Sequence, residues 1–491
     1  MPSLLPGAAL LPALLAGLLI PWSGRAPNLR EAWSLLAAAA QCAVVAALAP
    51  AALAGPGLET RLLDLSPGVA LALRADALGV VFAALSSGLW LLTTVYSIGY
   101  VRSLGEHAQT RYFFCFAVAV GAAVGVALAA NLLTFFLFYE ILTVATYPLV
   151  VHKETPAAVR AGRVYLAYTL GAGGALLAGV AATWVVAGTL EFRPGGVLDP
   201  ATAPAAVLAL GALLVLGVAV KAAVMPLHAW LPLAMIAPTP VSALLHAVAV
   251  VKAGVFGVLR VVGYVIGPDA LAAVGAGGVL AAAAGATIVL ASLAALGQDN
   301  LKRLLAFSTV SQLSYIVLGA ALATPGTLTG AVQHMVNHGT LKISLFFCAG
   351  AIYVATGRER VSELGGIGRR LPVTMGAFAV AALALAGTPP AAGFLSKWYL
   401  IGGAIEGGAW PAALVYLSSS LLNLAYFFPI VVAAFFRPPP ADADLREPSP
   451  LLVAPVAITA GAGVLLGLAP NLPVAFLDLA ARAAGDVLGA R

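Results

Sequence analysis

The stretch "NLLTFFLFYEILTVATYPLVV", residues 131–151, is apolar almost throughout, yet it carries one carboxylate, Glu140, near its middle. A bilayer core about 30 Å thick needs roughly 20 apolar residues per helix, and this run meets that length without a turn signal. The rest of the chain reads the same way. Hydrophobic residues make up 62% and charged residues 9% of the 491, with a mean hydropathy of +1.02. That departs far from the half-apolar, quarter-charged soluble average, so the sequence predicts an integral membrane protein.

Runs of spanning length recur near residues 4–22, 31–50, 76–101, 112–130, 132–151, 160–189, 204–236, 240–265, 270–296, 303–323, 327–355, 373–406, 409–436 and 450–473. They do not alternate apolar with polar as barrel strands would. The predicted fold is therefore all-α and polytopic, with about 14 transmembrane helices. The first run ends "LLIPWSGRAP" (residues 18–27) with no basic region before it and no small-residue cleavage site, which reads as a first span in a chain beginning at Met1. Cys42, Cys115 and Cys348 all fall inside apolar runs and read as packing residues.

Counting Lys and Arg in the loops sets an orientation. Fifteen, from Arg25 to Arg446, fall in odd-numbered loops; four, Arg61, Arg74, Arg193 and Arg260, fall in even-numbered loops, and Arg482 and Arg491 lie in the tail. Both termini are then predicted on the outer side of the cell (inner) membrane. The net charge of +6 reads as a topology signal and gives no support to nucleic-acid binding.

That count leaves Lys221, Lys252, Lys342 and Lys397 inside predicted helices, with Glu140 as the only carboxylate at membrane depth. Each centrally placed charge costs about 2.5–3.5 kcal/mol to insert, so five cost roughly 15 kcal/mol, comparable with the whole stability of a domain. Structural ion pairing is one explanation, but one carboxylate cannot partner four lysines. Proton transfer is the other: burial can bring a lysine's pKa towards neutrality and a nearby carboxylate raises it again. Glu140 and Lys221 are the candidate switching pair.

Two runs carry their own breakers. The seventh holds Pro226 and Pro232, with Lys221 five residues before the first, and the twelfth reads "LALAGTPPAAGFLSKWYL" (residues 383–400), with Lys397 seven after Pro390. Backbone groups freed at such depth persist only where protein or water surrounds them, and paired broken helices point to an ion path at the midplane. His228 and His246 lie near Lys221 and Lys252 in sequence, and His334 and His338 share a helical face with Lys342 at spacings of four. Histidine relays and hydrogen-bonded packing both fit these positions. The "HMVNH" pair (residues 334–338) lacks the glutamate of a zinc-protease motif, so no metal site is predicted there.

The segments "KAAVMPLHAWLPLAMIAPTPVSALLHAVAVVKAG" (residues 221–254), "DNLKRLLAFSTVSQLSYIVLG" (299–319) and "QHMVNHGTLKISLFFCAGAI" (333–352), together with Glu140, resemble the antiporter-like membrane subunits of respiratory complex I, of Mrp-type cation/proton antiporters and of membrane-bound hydrogenases. The resemblance implies three N-terminal helices (1–111), inverted five-helix repeats at 112–265 and 266–436, and a final helix with its tail (437–491). It also implies that Glu140 and Lys221 are coupled, that Lys252 is a central relay, and that Lys342 and Lys397 continue the path. Many relatives carry Asp after "WLP", where this chain has Leu233.

The function expected from these features is proton translocation, with Na⁺ as the alternative ion, by a non-redox subunit of a translocase such as an NADH:quinone oxidoreductase or an antiporter. Its partners would be other membrane subunits and lipid. No cofactor is expected, because neither a glycine-rich dinucleotide fingerprint nor a cysteine cluster occurs. A purely scaffolding role and a stand-alone secondary transporter remain open alternatives.

Overall fold

A computed structural model describes residues 1–55, 57–199, 203–438 and 445–489, leaving Arg491 outside the described residues. Among the described residues, 12 helices are long and apolar enough to cross a membrane, from Leu5–Trp22 to Pro450–Leu468. The protein is a multi-pass membrane protein whose long apolar spans are helical. Local chemistry sets the helix starts. Asn131 accepts from the Thr134 amide at 2.9 Å, and Thr155 and Thr324 cap helices that have proline in the first turn.

The predicted seventh and twelfth spans are each interrupted. Pro204–Ala219 gives way to turns before the short Trp230–Leu233 helix, and Pro372–Ala386 is separated from Ala392–Glu406. At the centre lies Thr239–Ile266, which is wholly enclosed by the other helices. It is not uniformly α-helical: π-helical turns at Leu244–Val248 and Val261–Ile266 flank the α-helical Val250–Arg260. Such turns often mark functional positions.

Two elements depart from the predicted pattern. Leu58–Ser66 and Val69–Ala75 form an antiparallel hairpin, closed at Pro67–Gly68 where Gly68 takes φ +81°, as a proline–glycine turn requires. After the last span, Phe476–Leu488 folds as an amphipathic helix that buries Phe476, Leu479, Ala480, Ala483, Ala484 and Val487.

Arg260, expected in a loop, instead ends the buried Val250–Arg260 helix. Its guanidinium meets both oxygens of Asp76 at 2.6 and 2.7 Å, and Asp76 also caps the Ala77–Ser103 helix. Hydrophobic residues continue past Arg260 only as far as Ile266, so in sequence it resembles the edge of a span. Lys302, also expected in a loop, is buried and donates to the Ala237 carbonyl at 2.9 Å. Arg260→Gln should lower the protein's stability by about 3–5 kcal/mol, the usual consequence of removing one partner from a buried ion pair. Thermal unfolding of the purified variant checks this, and an unchanged midpoint would mean that the pair is not a clamp.

The loops segregate into two groups by their contacts. At one end the Met1 amine donates to Gly57 at 3.1 Å, Arg74 pairs with Glu59 and Glu191, each at 2.9 Å, and the Arg193 amide reaches Tyr264 at 3.1 Å. Arg482 and Asp486 of the C-terminal helix line the same polar pocket. At the other end Arg102 pairs with Glu31, Arg30 bonds Gln109 at 2.6 Å, Arg111 pairs with Glu154 at 2.6 Å, and Glu447 accepts from the Val373 amide at 2.7 Å.

Candidate ion-translocation site

Lys221 follows the Pro204–Ala219 helix and lies in its interruption, not inside a helix as the apolar run predicted. It is fully buried. Its ammonium donates to the Tyr139 carbonyl at 2.5 Å and sits 3.3 Å from the Tyr139 ring centroid, a cation–π arrangement. The backbone groups that this interruption frees find side-chain partners. The Trp230 indole donates to Val220 O at 2.8 Å, and the Met225 amide donates to Thr287 Oγ1 at 3.1 Å. Buried polar backbone is stable only when satisfied in this way. The helix bearing Lys252 packs directly on this segment, because a Cβ at Gly254 would lie 2.2 Å from the Ala222 nitrogen.

Glu140 follows Tyr139 in sequence but occupies a different setting. No ion pair joins it to Lys221 among the described residues. Its carboxylate fits against Gly173, where a Cβ would stand 2.6 Å from Oε1, and Oε1 is buried without a hydrogen-bond partner. Glu140 also lines an apolar groove with Phe114, Leu137, Ile141 and Val144. Leu137, Ile141 and Val144 are exposed, which places this groove on the outside of the bundle.

The other predicted residues fall into a spatial series and a branch, with His246 and His228 outside both. Lys252 Nζ lies 2.7 Å from His338 Nδ1, and the His338 and His334 rings are 6.0 Å apart between centroids. His334 Nδ1 reaches Ser396 Oγ at 2.9 Å, and its ring stacks on Tyr315 at 5.2 Å. Lys397 stands 5.3 Å from the same Tyr315 ring and donates to Ser420 Oγ at 3.0 Å and to Ala386 O at 2.9 Å. That last bond satisfies a carbonyl at the second interruption, and Asn337 donates at 2.6 Å to Ala392 O at the start of the helix that follows it. Lys397 then lines a pocket beside the exposed Trp398.

Lys342 branches away from this series. It donates to Ser308 Oγ at 2.9 Å and to Leu305 O at 3.3 Å; Ser308 in turn bonds Tyr426 at 2.8 Å, whose hydroxyl donates to Asn423. His246 packs against Phe346 at 4.7 Å with neither ring nitrogen bonded. His228 lies apart, 6.1 Å from the Phe307 ring. Tyr139, Tyr315, Ser396, Ser308 and Ser420 were not singled out from the sequence. Hydroxyl residues are too common in spanning helices to signal a path, so only the fold reveals them.

The family described as "NADH:quinone oxidoreductase/Mrp antiporter, TM" matches residues 129–423, which include every buried lysine of the series and Glu140. The chain belongs to this NADH:quinone oxidoreductase/Mrp antiporter family. It is 35% identical over 390 residues to NADH-quinone oxidoreductase subunit N of Desulforudis audaxviator, covering 78% of this chain and 76% of that one. It is 33% identical over 442 residues to a component of the probable K(+)/H(+) antiporter of Rhizobium meliloti, covering 87% of this chain but 43% of that one. A chain in the structure of the Mrp complex from Dietzia sp. DQ12-45-1b superposes with a TM-score of 0.87 at 26% identity, over 99% of this chain and 97% of that one. Among the family's named members, then, are both redox-complex subunits and antiporter components.

Proposed function

We propose that the chain is an ion-translocating subunit of a multisubunit membrane complex, that its ion is the proton, and that protons pass along Lys252, His338, His334 and Lys397. Membership of a family of complex I and Mrp antiporter subunits supports translocation within a larger assembly. The observation that carries the proton assignment is the 2.7 Å contact between the Lys252 amine and the His338 imidazole. One nitrogen can donate there and the other accept, which is what passing a proton requires. A hard metal cation such as Na⁺ prefers oxygen ligands, and a row of ammonium and imidazole groups offers few.

In this reading Glu140 and Lys221 form the switch at the first interruption, joined through Tyr139, with Lys342 and His246 setting the field around the relay and His228 lying at its margin. Counting each interrupted helix as one crossing beside the 12 long apolar helices gives fourteen crossings, and the inverted repeats at 112–265 and 266–436 are what the family resemblance implies for them. The segregation of odd and even loops to opposite ends supports that count, and the excess of basic residues in the odd loops supports an outward orientation for both termini. Other membrane subunits are the expected partners, and the groove beside Glu140 is a surface they could cover.

Vesicles containing the purified complex and an internal pH-sensitive dye test the ion assignment. Driving the complex should change the internal pH. Net movement of another ion without any pH change overturns the proton reading.

A further inference from the structure

We propose that Glu106, His107 and His152 form a binding site for a divalent transition-metal ion of the Zn²⁺ type, at the end of the bundle where the odd loops meet. Glu106 and His107 lie in the loop after the Ala77–Ser103 helix, and His152 follows Leu132–Val150. The three residues offer ligand atoms that all lie within 4.8 Å of one another. His152 Nε2 stands 3.6 Å from Glu106 Oε2, close to the ~3.4 Å between ligand atoms that bonds of about 2.0–2.2 Å in a tetrahedral zinc site produce. The His107 and His152 rings lie 4.8 Å apart between centroids.

His152 supplies the independent sign of a ligand. Its side chain is only 1% exposed, and neither of its ring nitrogens has a hydrogen-bond partner. A buried imidazole left in that state needs a reason, and a metal ion bound at Nε2 provides one. His107, 48% exposed, leaves a route for the ion and a fourth position for water. The nearby Glu154 is already engaged by Arg111 at 2.6 Å and is not counted as a ligand. Two imidazoles and one carboxylate suit Zn²⁺ better than Mg²⁺ or Ca²⁺, which favour all-oxygen sets. Because the ligands come from two loops, a bound ion would tie the entry to the Gln109–Leu128 helix to the end of the helix carrying Glu140.

The test uses the intact complex, stripped with a chelator and titrated with Zn²⁺ by calorimetry and with Co²⁺ by visible absorption. The parent complex should bind one more equivalent than complexes carrying His107→Ala or His152→Asn, with the ligand-field bands of tetrahedral Co²⁺ lost in both. His107 is exposed, so its variant tests the site even where His152→Asn disturbs folding. Equal stoichiometry and affinity in the parent and the His107→Ala complex would overturn the proposal, as would an absence of stoichiometric binding to the parent.

Discussion

Lys252→Met should reduce proton movement through the assembled complex by about a hundredfold, the low end of what losing a positioned proton-transfer group costs. Lys252 is fully buried, and among the described residues no carboxylate pairs with it; its polar contact is His338 at 2.7 Å. Methionine keeps much of the volume and fits a packed interior, so the fold should survive. The change removes the relay's first nitrogen while leaving His338 and His334 in place. Proton flux in vesicles, normalised to the amount of complex on a native gel, gives the measurement. Parental flux from a normal amount of Lys252→Met complex would show that protons do not need this lysine.

Glu140→Gln should leave the amount of assembled complex unchanged and reduce coupled proton movement by about tenfold, within the range of a coupling free energy of ~1–3 kcal/mol. The amide matches the carboxylate in shape, so it fits the space left by Gly173, and among the described residues no cation pairs with Glu140 that would be left unpartnered at contact distance. If Glu140 were instead part of a structural pair, its neutralisation would destabilise by about 3–5 kcal/mol and reduce assembly along with flux. Native-gel yield beside vesicle pumping separates the two outcomes. Normal pumping from a normal yield removes Glu140 from the switch.

The membrane fold and four of the buried cations, Lys221, Lys252, Lys342 and Lys397, are legible in the sequence because each is a one-dimensional property. A run such as residues 327–355 and a lysine within it need no knowledge of neighbours. Arg260 was misread because a buried ion pair at a helix end has the same composition as a loop, and its partner Asp76 lies 184 residues away. The hairpin had a visible signal in Ser66–Pro67–Gly68–Val69, obscured by the much stronger apolar runs on either side. The site was legible as a set of residues and not as an arrangement. Nothing in the spacing of Lys252 and His338, 86 residues apart, shows that they touch, nor that Lys221 rests on the Tyr139 carbonyl and not on the Glu140 carboxylate.

The π-helical turn at Leu244–Val248 makes chain length itself a determinant of the central helix. A helical residue advances the side-chain direction by about 100°, so a single-residue deletion that tightened this turn into an ordinary one would swing Lys252 away from His338 while altering no side chain of the relay. When sequences of this kind are aligned, a one-residue gap between His246 and Lys252 therefore has the weight of a substitution at the lysine. Two chains with the same lysine and the same histidines, differing only there, would not share the same path.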